Sequence, residues 1–392
     1  MLFHVDPALN FTFPPFPTEL RFGCGLSSEI GAMARELGSS RVLLVTDAGI
    51  VKAGVARRLT EPLETAGLQV LLFDEVMQDS SSDMIMRAAA LAKERGVDLI
   101  VGLGGGSALD SAKAIAAMAT NPGSILDWVG LDRVPLDPLP CICVPTAAGT
   151  GSEVSVWSVL TDDATGAKAS VGGTRVMARI ALCDPELTVS LPPAVTAATG
   201  MDALGHAVEC YVNKACQPVS GALALQAIAL IGRHLRRAVA DGTSLEARSG
   251  MLMAAVLAGI AMNPTRLGLA HALAMPLGSW NLKIPHGTII AITLPEVMAF
   301  NCSAAPDRYA AVAAALGEDT AGLEPEAAAR KAVDAVRSLK ADTGIPEGLS
   351  ACGFTPEWSE RVVEEAMKSG NVAVNPRATS PADLTAILQK AM

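Results

Sequence analysis

Apolar residues in the first half of the chain come in short unbroken runs separated by longer periodic stretches. Arg41-Val42-Leu43-Leu44-Val45-Thr46, residues 69–73 and Leu99-Ile100-Val101-Gly102-Leu103 read as strands buried on both faces of a parallel sheet. Residues 27–37, 55–66 and 82–95 carry apolar positions at helical spacing, and a short strand at 19–22 precedes them after a Pro-rich extended arm that runs through Pro17. A strand at 141–144, a strand-like 154–160 and a hairpin turn at 162–166 follow. Strand and helix in alternation predict an α/β domain with a parallel, Rossmann-like sheet.

The pattern changes after Cys183-Asp184-Pro185-Glu186-Leu187. Residues 219–240, 244–262, 306–316, 325–343, 356–368 and 381–391 are Ala-rich and periodic at helical spacing, several of them opened by proline. This predicts an all-α second domain, with residues 1–187 in the α/β domain and 188–392 in the helical one. A cleft in which the two meet is the expected place for chemistry.

Length and composition agree with a large enzyme. The 392 residues suffice for two or three domains, half of them are hydrophobic, and only 4% are aromatic, so small side chains must do the packing. No uninterrupted apolar run of about 18 residues occurs, and the N-terminus lacks a basic region followed by an apolar stretch, so a cytoplasmic protein is expected. A net charge of −10 without a basic cluster points away from nucleic acid and from anionic membrane surfaces as partners. The eight cysteines show no C-x-x-C pair and are expected to be reduced thiols.

Candidate chemistry concentrates in Gly200-Met201-Asp202-Ala203-Leu204-Gly205-His206-Ala207-Val208-Glu209. On a helix, Asp202 and His206 share one face, one turn apart. Only five histidines exist in the chain, and two more, His271 and His286, sit in Gly-flanked apolar stretches. An Asp/His/His/His set suits a divalent ion such as Fe2+, or Zn2+, and can leave a position open for a substrate oxygen. Taken singly, each residue has an ordinary explanation: helix polar residues, a core histidine, a loop histidine.

Gly104-Gly105-Gly106-Ser107, directly after the strand 99–103, would let backbone N–H groups approach a phosphate. Ser107 and Asp110 have capping-box spacing, so a helix should begin there with its positive end toward the glycines. A tight corner would look the same. The Gly/Thr-rich turn Pro145-Thr146-Ala147-Ala148-Gly149-Thr150-Gly151-Ser152-Glu153 suits the nicotinamide-ribose side of a dinucleotide, or is a plain polar loop. Asp47, at the end of the strand 41–46, can accept hydrogen bonds from ribose hydroxyls and would repel a 2′-phosphate, which favours NAD over NADP. Its alternative is a strand-end turn aspartate.

These motifs, with Pro285-His286-Gly287 and Asn375-Pro376-Arg377, resemble in order and spacing those of the iron-containing (group III) alcohol dehydrogenases. The resemblance covers nearly the whole chain. It implies a dinucleotide-binding domain followed by a helical domain, and a metal held by Asp202, His206, His271 and His286. It further implies a pyrophosphate at Gly104 to Ser107, dinucleotide contacts from Thr146, Thr150 and Ser152, Lys168 on the cofactor's outer side, and a substrate wall of Trp157, Met262 and Trp280. Two departures stand out: Thr146-Ala147 where the family commonly has paired threonines, and Met275 where many relatives have a further histidine four residues after the His271 position.

The activity implied is hydride transfer between a small primary or secondary alcohol, or its aldehyde or ketone, and NAD, in a homodimer or larger homo-oligomer. The alternatives are a maleylacetate-reductase-like enzyme, which would lack the full ligand set; a dehydroquinate-synthase-like lyase, which would need a basic cluster; and a metal-dependent hydrolase, which would leave the glycine turn unexplained.

Overall fold

Runs of valine, leucine and isoleucine become strands here because both of their faces find cover. In the computed structural model, which describes residues 10–279 and 284–392, the strands are β1 (Glu19–Phe22), β2 (Arg41–Val45), β3 (Gln69–Phe73), β4 (Leu99–Gly104), β5 (Gly130–Leu131), β6 (Cys141–Pro145), β7 (Trp157–Thr161), β8 (Lys168–Gly172) and β9 (Ile180–Cys183). Six of them form a parallel sheet in the order β1-β9-β6-β4-β2-β3, while β5, β8 and β7 make a small second sheet. The connecting helices are α1 (Ile30–Glu36), α2 (Ala48–Lys52), α3 (Arg57–Thr65), α4 (Ser82–Glu94) and α5 (Gly106–Thr120).

Period-two alternation sorts the strand residues. Val42, Leu44, Val101 and Val144 pack with Ile30, Met33 and Leu59 of α1 and α3. Leu43, Val45, Ile100 and Cys143 pack with Ile85, Leu109 and Ile115 of α4 and α5 on the opposite face. With both faces buried, a continuous apolar run is the pattern such strands require, and each buried Leu or Ile contributes roughly 2 kcal/mol.

The helix expected over 55–66 is α3, and a short helix that the pattern did not announce, α2, precedes it across a turn in which Gly54 takes φ 76°. Two local expectations are corrected. The strand expected from 154 begins at Trp157. The Ser107/Asp110 capping box does not form: Gly105 is the N-cap residue of α5 and makes no side-chain cap. Ser107 Oγ instead accepts the Asp79 N–H at 3.3 Å, and Asp110 pairs with Lys113 at 3.0 Å. Capping-box spacing signals a helix start, but longer-range partners competed for both side chains.

Lys113 is fully buried on α5, and its ammonium donates to the carbonyls of Ser152, at 2.8 Å, and of Trp157. It therefore ties α5 to residues 152–157. Glu153 lies 2% exposed nearby.

The second compact unit, 192–392 with 10–14 and 148–150, is helical; the first comprises Pro15–Ala147 and Gly151–Leu191. Its helices are α6 (Pro193–Val212), α7 (Pro218–Ala240), α8 (Leu245–Thr265), α9 (Leu269–Leu277), α10 (His286–Asn301), α11 (Pro306–Ala315), α12 (Pro325–Asp342), α13 (Ser359–Met367), α14 (Gly370–Val374) and α15 (Pro381–Lys390). Helix α6 packs against α7, α8 and α10, and α9 against α10 and α13. Two helical segments, Leu245–Thr265 and His286–Ala304, are long and apolar enough to cross a membrane, yet both lie mostly buried, as core helices do.

Burial pushes the Glu153 carboxyl up from 4.5 to about 7, with the Lys113 charge limiting the rise. The folded chain thus keeps a proton that the unfolded chain releases above its own lower pKa, so this group's contribution to stability falls as pH rises from about 4.5 to about 7 and is constant above. Glu153→Gln should gain on the parent by about 3 kcal/mol between those limits. Calorimetry at pH 5 to 8 should show the difference in Tm widening by several degrees in the variant's favour; a difference independent of pH would refute the assignment.

Candidate metal centre

Helix α6 begins behind Pro192 and Pro193, is rich in alanine, and is buried nearly all round. Its polar residues Asp202, His206 and Glu209 are each 5% exposed or less. Helix α9 brings His271, 4% exposed, and α10 opens on His286, whose side chain is 42% exposed. The residue after it explains how it gets there. A Cβ at Gly287 would stand 2.2 Å from the Ala198 carbonyl oxygen, so only glycine lets the start of α10 lie directly on α6.

Asp202 Oδ1 lies 3.6 Å from His271 Nε2 and 3.7 Å from His286 Nε2. The three donor atoms are within 4.8 Å of one another. Donors about 2.1 Å from one tetrahedral ion stand roughly 3.4 Å apart, so the spacing fits a shared cation with a small contraction. The separations are too long for hydrogen bonds, and Asp202 Oδ1 and His271 Nε2 have no hydrogen-bond partner among the described residues. Buried polar atoms are rarely left unmade, so this pair asks for a ligand that is not protein. Carboxylate and imidazole together are a donor set for a divalent ion.

His206 stands beside this trio. Its ring stacks on His271 with centroids 4.5 Å apart, and its Nδ1 also lacks a hydrogen-bond partner, but it is not among the three residues whose donor atoms converge. Burial, joined by the neighbouring His271 and His286, lowers the His206 pKa to about 4 against the pull of Asp202. Burial also opposes charge on His271, but Glu209 and Asp202 outweigh it and raise that ring to about 9. Asp202 would be raised by burial; the facing imidazoles of His206, His271 and His286 hold it below the usual carboxylate range instead.

The α/β unit carries a hollow of its own, about 420 Å³, at the carboxyl ends of β2 and β4. Asp47, Gly49, Met77, Gly105, Gly106 and Ser107 line it. The chain goes from β2 outward to β3 and then returns to β4 on the other side of β2, so the hollow lies at the point where the strand order reverses. Helix α5 points its N-terminus here. Asp47 caps α2, accepting the Ile50 N–H at 3.0 Å, while its other oxygen lies beside Gly104.

Other expected site residues fall as follows. Thr146 and Ser152 are buried and Thr150 is half-buried, and the Thr146 N–H donates to the Gly104 carbonyl at 3.0 Å, joining the two turns. Lys168 pairs with Asp79. The Trp157 ring lies against Gly172 of β8, within the small sheet. Met262 on α8 and Met275, one turn past His271 on α9, are half-buried. Trp280 lies outside the described residues.

Two family models match this chain: iron-containing alcohol dehydrogenase over residues 17–185, and the C-terminal part of the Fe-containing alcohol dehydrogenase family over 196–392. The chain belongs to the iron-containing alcohol dehydrogenase family. It is 41% identical to a choline dehydrogenase of Bacillus subtilis (strain 168) over 95% of this chain and 93% of the other. It is 36% identical to the NAD-dependent methanol dehydrogenase of Bacillus methanolicus, over 98% and 100% of the two chains. A solved 1,3-propanediol oxidoreductase superposes with a TM-score of 0.94 at 38% identity, covering 96% of this chain and 98% of that one. As a member of this iron-containing alcohol dehydrogenase family, the protein is an oxidoreductase acting on alcohols, and its parallel-sheet domain followed by a helical domain is the family's architecture.

Sequence reasoning gave Glu209 and Asn213 no role. For Glu209 the spacing was the available signal, since positions 202, 206 and 209 recur on one helix face; Asn213 stands just past the end of that helix. For the centre as a whole, Gly287→Ala should displace the start of α10 and with it His286. Expected outcomes are a Co2+ affinity at least tenfold weaker by chelator competition and a Tm several degrees lower; unchanged affinity would show that His286 is not held by this contact.

Proposed function

We propose that this member of the family transfers hydride between a small primary or secondary alcohol and NAD, with Fe2+ as its metal and Asp202, His206, His271 and His286 as the residues that hold it. The observation that carries the reading is the converging trio of donor atoms, two of them buried and without a hydrogen-bond partner among the described residues. When bound, a divalent ion supplies Lewis acidity toward a hydroxyl or carbonyl oxygen. Zn2+ would satisfy the same donors.

The chain's own contribution is positional and electrostatic. Asp202 gives one negative charge and the imidazoles none when they ligate, so a divalent ion would keep net positive charge toward an oxygen ligand. Burial of Asp202, His206 and His271 keeps water from competing for those donors. In the other unit, the N-terminal N–H groups of α5 behind Gly105 offer a seat for a pyrophosphate. NAD, when bound, supplies the hydride acceptor, and Asp47 would take its adenosine ribose hydroxyls. Thr146, Thr150, Ser152 and Lys168 are proposed for the rest of the dinucleotide, Lys168 after release from Asp79.

Eight free cysteines, including Cys141 and Cys143 with sulfurs 3.9 Å apart, support a reducing cytoplasmic setting. The edge position of β1 is consistent with a homo-oligomer. The maleylacetate-reductase-like alternative is less well supported, because the Asp/His/His/His set is complete in this sequence.

His271→Ala should reduce alcohol oxidation at least a thousandfold, with metal content falling in parallel by elemental analysis. Full activity in protein shown to be metal-free would refute the reading. For the cofactor, Asp47→Gly should shift the ratio of kcat/KM for NAD over NADP at least tenfold toward NADP, and an unchanged ratio would remove Asp47 as the discriminator.

A further inference from the structure

Asp202, His206 and Glu209 follow one another on α6 at spacings of four and three, one polar stripe along a helix otherwise buried among apolar groups, and Asn213, four residues on, is the extended residue that ends the helix. The first two belong to the metal centre. The other two grip the segment that delivers His271.

Glu209 accepts three hydrogen bonds, all from that segment. The Gly268 N–H donates to Oε2 at 2.8 Å, the Ala270 N–H to Oε1 at 2.7 Å, and His271 Nδ1 to Oε2 at 2.6 Å. A carboxylate only accepts, so the short contact places a hydrogen on Nδ1 of His271. Nε2 is the atom left to face Asp202. Gly268 and Ala270 are also the N-cap residue and an early residue of α9, where N–H groups lack helical partners, so Glu209 caps that helix from a distance. No side chain fits in its place: a Cβ at Gly268 would stand 2.8 Å from Glu209 Cδ. Asn213 Nδ2 donates to the carbonyls of Thr265, at 3.1 Å, and Arg266, at 3.3 Å, holding the strained corner where Arg266 takes φ 61°.

We propose that Glu209 is the positioning residue of the metal centre: it holds a hydrogen on Nδ1 and fixes the ring orientation of His271, so that Nε2 is the atom presented to an ion. This rests on the metal-binding reading above. Partners of metal-ligating histidines of this kind typically change metal affinity 10- to 100-fold when altered.

The test uses the full chain, stripped of metal and titrated with Co2+ against a competing chelator, alongside 15N NMR of the histidine rings in the metal-free protein and calorimetry. In the parent, recorded above pH 9 so that the ring is neutral, His271 should show the Nδ1–H tautomer. Glu209→Gln, which keeps an oxygen acceptor for the backbone donors but can donate from its amide to Nδ1, should lose roughly 10- to 100-fold in Co2+ affinity and shift His271 toward the Nε2–H form. Asn213→Ala should lower the Tm while leaving both the Co2+ affinity and the tautomer as in the parent. Parent-like affinity and tautomer in Glu209→Gln would overturn the proposal, as would an equal loss of affinity in Asn213→Ala, which would mean generic loosening. Failure of the parent itself to take up Co2+ would overturn the metal reading and this proposal together, whereas tight binding by the parent and by Glu209→Gln alike would overturn only the role of Glu209.

Discussion

Two carboxylates buried on one face of α6 set the terms for the helical unit. Asp202 and Glu209 are each 3% exposed, and an ionised carboxylate away from water is costly by several kcal/mol unless charge or hydrogen bonds replace the solvent. The two are compensated differently. Glu209 takes backbone and imidazole donors from the start of α9, so that helix must begin where it does. Asp202 Oδ1 faces His271 and His286 at distances that no hydrogen bond spans, so its charge is offset by those imidazoles or, in the function proposed above, by a bound cation. The placement of α9 and of the first turn of α10 follows from these two demands.

The strained backbone between α8 and α9 is intelligible on the same terms. A non-glycine residue at positive φ is disfavoured by roughly 1 kcal/mol or more, and Arg266 holds that conformation because the Asn213 amide bonds the carbonyls on either side of the bend. The turn lets His271 arrive five residues after Arg266.

Much of this architecture was legible in the residues. The β2 and β4 runs announced themselves because a strand buried on both faces must be apolar at every position, and the helices of the second unit because alanine-rich periodicity has few other uses. What stayed hidden depended on partners far away in sequence. Ser107 and Asp110 carry the spacing of a helix cap, yet the N–H groups of Asp79 and Val159 claim them. Nothing near Lys113 in the chain announces its burial, and only the fold shows its ammonium satisfied by the Ser152 carbonyl, 39 residues away. Glu209 stood in plain sight within the motif, but its role needed residues 268–271, and nothing local points there. His286 looked like a loop residue because glycine and proline flank it; in the fold they are what start a helix against α6.

The glycine turn after β4 illustrates why position can outweigh pattern. Gly104-Gly105-Gly106-Ser107 is a weak signal alone, since tight corners also use glycine. Beside Asp47, at the reversal of strand order and at the N-terminus of a 15-residue helix, the same residues surround a hollow with backbone donors on one wall and a carboxylate on the other. An anion favours the first and is repelled by the second. A ligand that carries both a pyrophosphate and a ribose diol would satisfy both walls at once, which a free phosphate does not, and this asymmetry is what supports the proposal of a dinucleotide with an unmodified ribose.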